Sequence, residues 1–344
     1  MATDYPGRLV KLGEHDARIV RAVKTALNRA LALSRRPELR LNPANPSFGA
    51  TTKRAVQLFQ ARHVDTKGRP LKVDGEIGAI TWAVLFGPET VPSTVSAGDP
   101  LLARVLAIAA AEEAKAVREQ PRNSNRGPEV DAYLRRAGVA PGYAWCCAFV
   151  YWCFDEAARS LALGNPMLRT AGCLNHWNGA VARGAVRLPT RDAVADPQRV
   201  RPGMVFIMDF GGGAGHTGLV ESVQGGFATT LEGNTDASRT REGGGVYRLT
   251  RKLAEINKGF VDYAGLGVAI APVRAPAVAP PANAARRVTT TKAKKATKTT
   301  TATTATTAKA TPGGTKTASA KAVSRAAQAP TAAGRRRAPI TIGG

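Results

Sequence analysis

Three cysteines, Cys146, Cys147 and Cys153, crowd into one short run that begins Trp145-Cys146-Cys147-Ala148-Phe149-Val150. A thiol in the first turn of a helix lies where unpaired backbone N–H groups and the helix dipole favour thiolate, the nucleophilic form. The same N–H groups can form part of an oxyanion hole. Packing is the competing explanation, because cysteine is among the most buried residue types. The balance between the two rests on what lies downstream.

A cysteine hydrolase needs a histidine base within hydrogen-bond reach and a third polar group to orient the imidazole. Of the four histidines, His15 and His63 fall in the N-terminal part, leaving His176 and His216. His216 follows Gly211-Gly212-Gly213-Ala214-Gly215 and opens a strand through Thr217-Gly218-Leu219-Val220, a placement that can aim it into a cleft. His176, beside Trp177 and Asn178, reads as a surface or packing residue. The third group is expected from the next strand. There Leu231-Glu232-Gly233-Asn234-Thr235 puts Glu232 and Asn234 on one face, two residues apart. Either can accept a hydrogen bond from the ring.

The elements that must position these groups read as α+β. Residues 1–87 predict a small three-helix domain: Ile19, Val20, Val23, Leu27 and Leu31 recur at helical spacing, and Val56, Phe59 and His63 share a second helix face. Residues 88–100, rich in Pro, Ser and Thr, read as a linker. A helix is expected from Leu101 to about Glu119, a second over 128–137, and a third, apolar nearly all round and therefore buried, from Trp145. Beyond residue 200 short β-branched or aromatic runs separated by glycines predict strands. Helices first and strands second indicate an antiparallel sheet with helices packed on it, over 101–272. Residues 273–344, almost wholly Ala, Thr, Lys, Arg and Pro, cannot repay their ordering entropy and are expected to be disordered.

The chain carries a net charge of +24, of which residues 276–344 supply +13 and no acidic residue. So basic a chain favours polyanions, without choosing among nucleic acid, acidic lipid and anionic wall polymers. Cys146 and Cys153 lie about 10.5 Å apart along a helix, beyond the roughly 7 Å that a disulfide allows, so free thiols are expected. Met1–Lys24 has no apolar core of a secretory signal, and no apolar stretch is long enough to span a membrane. Cytoplasmic synthesis followed by release or delivery to the wall is the corresponding expectation. Neither a calcium-loop pattern nor closely spaced metal-ligand pairs occur, so no metal and no cofactor are expected.

Several blocks together carry a resemblance. Asn123-Ser124-Asn125-Arg126-Gly127-Pro128, Trp145-Cys146, Pro202-Gly203-Met204-Val205-Phe206, Gly215-His216-Thr217-Gly218 and Glu232-Gly233-Asn234-Thr235 through Gly245-Val246-Tyr247 resemble a CHAP-type amidase domain. The resemblance implies a papain-like fold that cleaves amide bonds in peptidoglycan, with Cys146 as nucleophile, His216 as base, and Glu232 with Asn234 as orienting group. Cys147 departs from the family pattern, which usually has a small Ala or Ser there. Adjacent helical residues point about 100° apart, so both thiols cannot face His216.

Phe48-Gly49-Ala50-Thr51-Thr52, Phe59-Gln60, and Val73-Asp74-Gly75-Glu76-Ile77-Gly78 with Thr81-Trp82 resemble a three-helix peptidoglycan-binding domain. That likeness implies wall contacts from Phe59, Asp74 and Trp82, with Trp145 beside the nucleophile as a further substrate contact. Phe59 and Trp82 serve equally well as core of a small bundle.

The reading that follows is a monomeric peptidoglycan hydrolase, an amidase or endopeptidase of the kind found in phage endolysins. Its basic tail would adhere to anionic wall polymers or outer-membrane lipid. Two alternatives remain open at this stage: a wall-binding protein without catalysis, and a protein that binds DNA non-specifically through the tail.

Overall fold

The computed structural model describes residues 3–240 and 243–269. These fall within one compact unit, Met1–Ala275, while the basic tail lies outside the described residues. Among the described residues there are eight α-helices and one six-stranded antiparallel sheet, an α+β architecture.

The N-terminal part holds α1 (Ala17–Ala30), α2 (Ala50–Arg62) and α3 (Ala79–Phe86). Asp16 caps α1 by accepting from the N–H groups of Arg18 and Ile19. Its stripe of Ile19, Val20, Val23 and Leu27 joins Phe48, Val56, Phe59, Ile77 and Trp82 in a core of its own. Gln60, buried on α2, fastens the Asp74-Gly75 turn. Its Nε2 donates to Asp74 Oδ1 at 3.1 Å and to the Glu76 carbonyl at 2.8 Å, and its Oε1 accepts from the Gly75 N–H at 2.9 Å.

The stretch after α3 is fastened rather than loose. Val91 is buried, and Thr94 pairs with Val223 through backbone hydrogen bonds in both directions. Lys252 Nζ meets the buried Asp65 carboxylate at 2.8 Å, and Arg69 Nη1 meets Glu255 at 3.0 Å. The helical module is thus tied to the sheet by charge pairs as well as by chain connectivity.

The larger part opens with α4 (Pro100–Ala114), α5 (Pro128–Ala137), α6 (Cys146–Ser160) and α7 (Cys173–Ala180). There follow β1 (Val186–Pro189), α8 (Thr190–Ala195), β2 (Val205–Gly211), β3 (Ala214–Gln224), β4 (Phe227–Thr235), β5 (Gly245–Lys252) and β6 (Gly259–Asp262). The strand order is β1-β6-β2-β3-β4-β5. Val205 and Ile207 of β2 join the core under α4–α7, while Phe206 and Met208 alternate to a second core that includes Ala193 of α8. The sheet is covered on both faces, and α6 crosses the middle of one of them.

Three local features differ from the sequence expectation. Helix α4 stops at Ala114, short of the expected Glu119, because Ala116 turns the chain through the left-handed region at φ 53°. Val117 and Glu119 then hydrogen-bond alongside β5, with Glu119 N–H donating to Gly244 and Val246 N–H to Val117. Strand β1 and helix α8 have no counterpart in the sequence expectation, since elements this short show no periodicity. Finally, a bulge between Glu232 and Thr235 breaks the alternation of β4, and Asn234 takes φ 57°.

Candidate active site

Cys146 is the first residue of α6, and the helix it begins is buried along most of its length. Trp145 occupies the cap position without a side-chain cap, so the first-turn N–H groups have neither an intrahelical partner nor a capping oxygen. The Cys146 Sγ lies 3.5 Å from the Cys173 Sγ. Cys147, one position on, donates to the Thr170 carbonyl at 3.5 Å and also neighbours Cys173, on the side away from His216. Of the adjacent pair, it is Cys146 that the fold brings to the histidine.

His216 sits on β3 opposite Met208, with only 1% of its surface exposed. Its Nε2 is 2.8 Å from Glu232 Oε2, and its Nδ1 has no hydrogen-bond partner among the described residues. The imidazole and the Cys146 thiol stand close enough to shift each other's proton affinity. The glycine at 218 makes the His216–Glu232 contact possible. A Cβ there would lie 2.7 Å from both the Glu232 Cγ and the Leu231 carbonyl, and 2.8 Å from the Phe206 ring.

Glu232 is itself held from behind. Arg251 on β5 grips both its oxygens, Nε to Oε1 at 2.6 Å and Nη2 to Oε2 at 2.5 Å, and Thr230 Oγ1 donates to Oε1. The guanidinium is buried and lies over the Phe206 ring. The result is a continuous buried line, Cys146, His216, Glu232 and Arg251, running from a helix start across three strands.

The electrostatics follow from that line. Burial opposes charge on His216, but the adjoining Cys146 sulfur and the Glu232 carboxylate outweigh it and raise the pKa from 6.5 to about 9. Burial likewise opposes charge on Glu232, where Arg251 and His216 prevail and lower it from 4.5 to about 2. The Cys146 thiol is pushed well above its ordinary value by the Cys173 hydrogen bond and by burial, while His216 pulls it down. His216 is thus raised in part by a thiolate that Cys146 resists forming; the two share one proton equilibrium and titrate as a unit. Glu232 supplies a fixed negative charge that favours the imidazolium whichever form the sulfur takes.

The other expected site residues are placed differently. Asn234, two residues from Glu232, makes no hydrogen bond to His216. It is buried in the bulge, and both polar atoms of its amide lack partners among the described residues. Trp145 is fully buried, its Nε1 donating to Glu119 Oε1 at 2.9 Å, so it braces the start of α6 from inside. Phe59 and Trp82 are core side chains of the N-terminal module, and only Asp74 of that set keeps partial exposure. His176 is buried against the Tyr263 hydroxyl at 2.7 Å, a packing residue rather than a surface one.

Arg251, Thr230, Cys173 and Glu119 belong to the site's surroundings and escaped the sequence reading. Arg251 left one trace: it shares a strand face with the buried Leu249, where an arginine requires a buried acid.

Residues 138–234 match the CHAP domain. The CHAP match takes in Cys146, His216, Glu232 and Asn234 and ends there, leaving out Arg251 and the N-terminal module. It indicates activity of the peptidoglycan-hydrolase type, amidase or peptidase, in general. No curated protein and no solved structure matches the chain.

Proposed function

We propose that this chain is a cysteine-dependent peptidoglycan hydrolase that cleaves an amide bond of the wall with Cys146 as nucleophile. The observation that carries the reading is the buried line from Cys146 through His216 to Glu232, lying inside the segment that matches the CHAP domain. The Cys146 thiolate attacks the carbonyl carbon of a muramoyl–alanine or stem-peptide amide. The N–H groups at the start of α6, which no side chain caps, would stabilise the oxyanion. His216, kept protonated by Glu232, gives its Nδ1 proton to the departing amine and then takes one from the water that releases the acyl group. Arg251 keeps Glu232 ionised, so that the carboxylate orients the ring instead of taking its proton.

In this reading residues 1–87 form a wall-binding module, 88–100 join it to the catalytic domain at 101–272, and the tail adheres to anionic polymer. The module's attachment to the sheet through Lys252–Asp65 and Arg69–Glu255 would keep the catalytic cleft near the bound strand. A phage lysin fits these parts. Incubation with purified sacculi tests the function: newly released amino groups without new reducing sugar ends are expected, and fragment masses then name the bond. Release of reducing ends alone, or of nothing at all from any sacculus type under reducing conditions, would overturn it.

A further inference from the structure

The Cys146 sulfur faces a second buried thiol across 3.5 Å, and this pairing is built rather than incidental. Cys173 is the first residue of α7, as Cys146 is of α6, so two helix starts converge on one point. The loop between them is tied down near its end, where Cys147 donates to the Thr170 carbonyl and the Gly172 N–H donates to Thr170 Oγ1 at 3.0 Å. Gly215, beside His216, leaves room for the second thiol: a Cβ at that position would lie 3.1 Å from the Cys173 Cβ. All four cysteines are free thiols.

We propose that Cys173 is a resolving thiol for the catalytic cysteine, so that peroxide converts Cys146 and Cys173 to a disulfide and reversibly switches the enzyme off. The proposal rests on Cys146 being the nucleophile. The chemistry takes two steps. The Cys146 thiolate attacks hydrogen peroxide, its S–O bond forms as the O–O bond breaks, and hydroxide leaves. The Cys173 sulfur then attacks the sulfenic sulfur, the S–S bond forms, and the oxygen departs as water with the Cys173 proton. Two thiols are oxidised and one peroxide is reduced to two waters. The sulfurs need to close from 3.5 Å to about 2.05 Å. A low-molecular-weight dithiol reverses the bond by exchange and restores the nucleophile. Interception by Cys173 also keeps Cys146 from passing to the irreversible sulfinic acid.

The test uses the full chain, treated with hydrogen peroxide and read by intact mass and by amide cleavage before and after dithiothreitol. Wild type should become lighter by two hydrogens and lose activity by at least about tenfold, and dithiothreitol should restore both. Cys147→Ala should behave like wild type. Cys146→Ser and Cys173→Ser should not form the lighter species, and Cys173→Ser and Cys173→Ala should instead gain oxygen and lose their own reduced activity irreversibly. A lighter species that persists in Cys146→Ser, marking a Cys147–Cys173 bond, would overturn the proposal. So would oxygen addition to wild type without loss of hydrogens. The mass readout stands apart from catalysis: a chain that forms the Cys146–Cys173 bond yet never cleaves a wall would defeat the hydrolase reading and leave the thiol pairing intact.

Discussion

Replacing Arg251 with Met removes the stronger partner of the buried Glu232 carboxylate and leaves it only His216 and Thr230. Glu232 receives two hydrogen bonds from the guanidinium, at 2.6 Å and 2.5 Å, and the two side chains are 6% and 0% exposed. Two charge-assisted hydrogen bonds at about 1.5–3 kcal/mol each bracket the roughly 3–5 kcal/mol that stranding a buried charge costs. Arg251→Met should therefore lose about 3–5 kcal/mol of stability near neutral pH. The carboxylate left behind can escape by taking up a proton, since without Arg251 its pKa climbs. Wild-type Glu232, held near 2, gains nothing from mild acid. The deficit should consequently narrow as the pH is lowered from about 7 to about 5. Urea unfolding at several pH values, with Glu232→Gln and the double variant completing a mutant cycle, reads both effects. The double variant should be more stable than Arg251→Met alone. A deficit below about 1 kcal/mol, or one that does not change with pH, would refute the view that Arg251 is what keeps Glu232 charged.

Gly218→Ala should bring a methyl group against the Leu231 carbonyl and the Glu232 Cγ, both at 2.7 Å. The expected cost is about 1–3 kcal/mol in thermal or urea unfolding, with hydrolysis lowered by at least about a hundredfold as Glu232 is displaced from His216; wild-type turnover would count against the packing argument. Cleavage should fall away as the pH rises through about 9, where His216 loses its proton, and Glu232→Gln should move that limb down toward 6.5; a rate profile with an unmoved limb would contradict the assignment. The same elevated pKa implies stability that is fully present below pH 6.5 and lost as the pH rises through about 9, which unfolding at pH values across that window checks.

What was legible in the sequence was whatever depends on local pattern. The all-round apolar run after Trp145 announced a buried helix, and glycine-bounded β-branched runs announced the strands beyond residue 200. Cys146, His216 and Glu232 are legible because a thiol at a helix start is followed, in order, by a histidine after a glycine run and a carboxylate on the next strand. Asn234 was paired with Glu232 by strand alternation, which the bulge at the end of β4 cancels. The Gly233-Asn234 pair is its local trace, since a glycine within a strand and an asparagine at positive φ both favour a bulge. The neighbours that tune the site were out of reach for a different reason. Cys173 meets Cys146 only because the loop after α6 folds back, and Arg251 reaches Glu232 across a register that pairs it with Ala228 instead. Phe59 and Trp82 show the opposite limit: an aromatic in a small helical module can serve as core or contact, and here burial assigns them to the core.

The most direct measurement compares Cys146→Ser and Cys147→Ser with wild type on the same purified sacculi under reducing conditions, reading released amino groups. The account predicts that Cys146→Ser releases none above background while Cys147→Ser retains cleavage, because Cys146 stands beside His216 whereas Cys147 donates to the Thr170 carbonyl. Undiminished cleavage by Cys146→Ser would contradict it and move the chemistry to another residue.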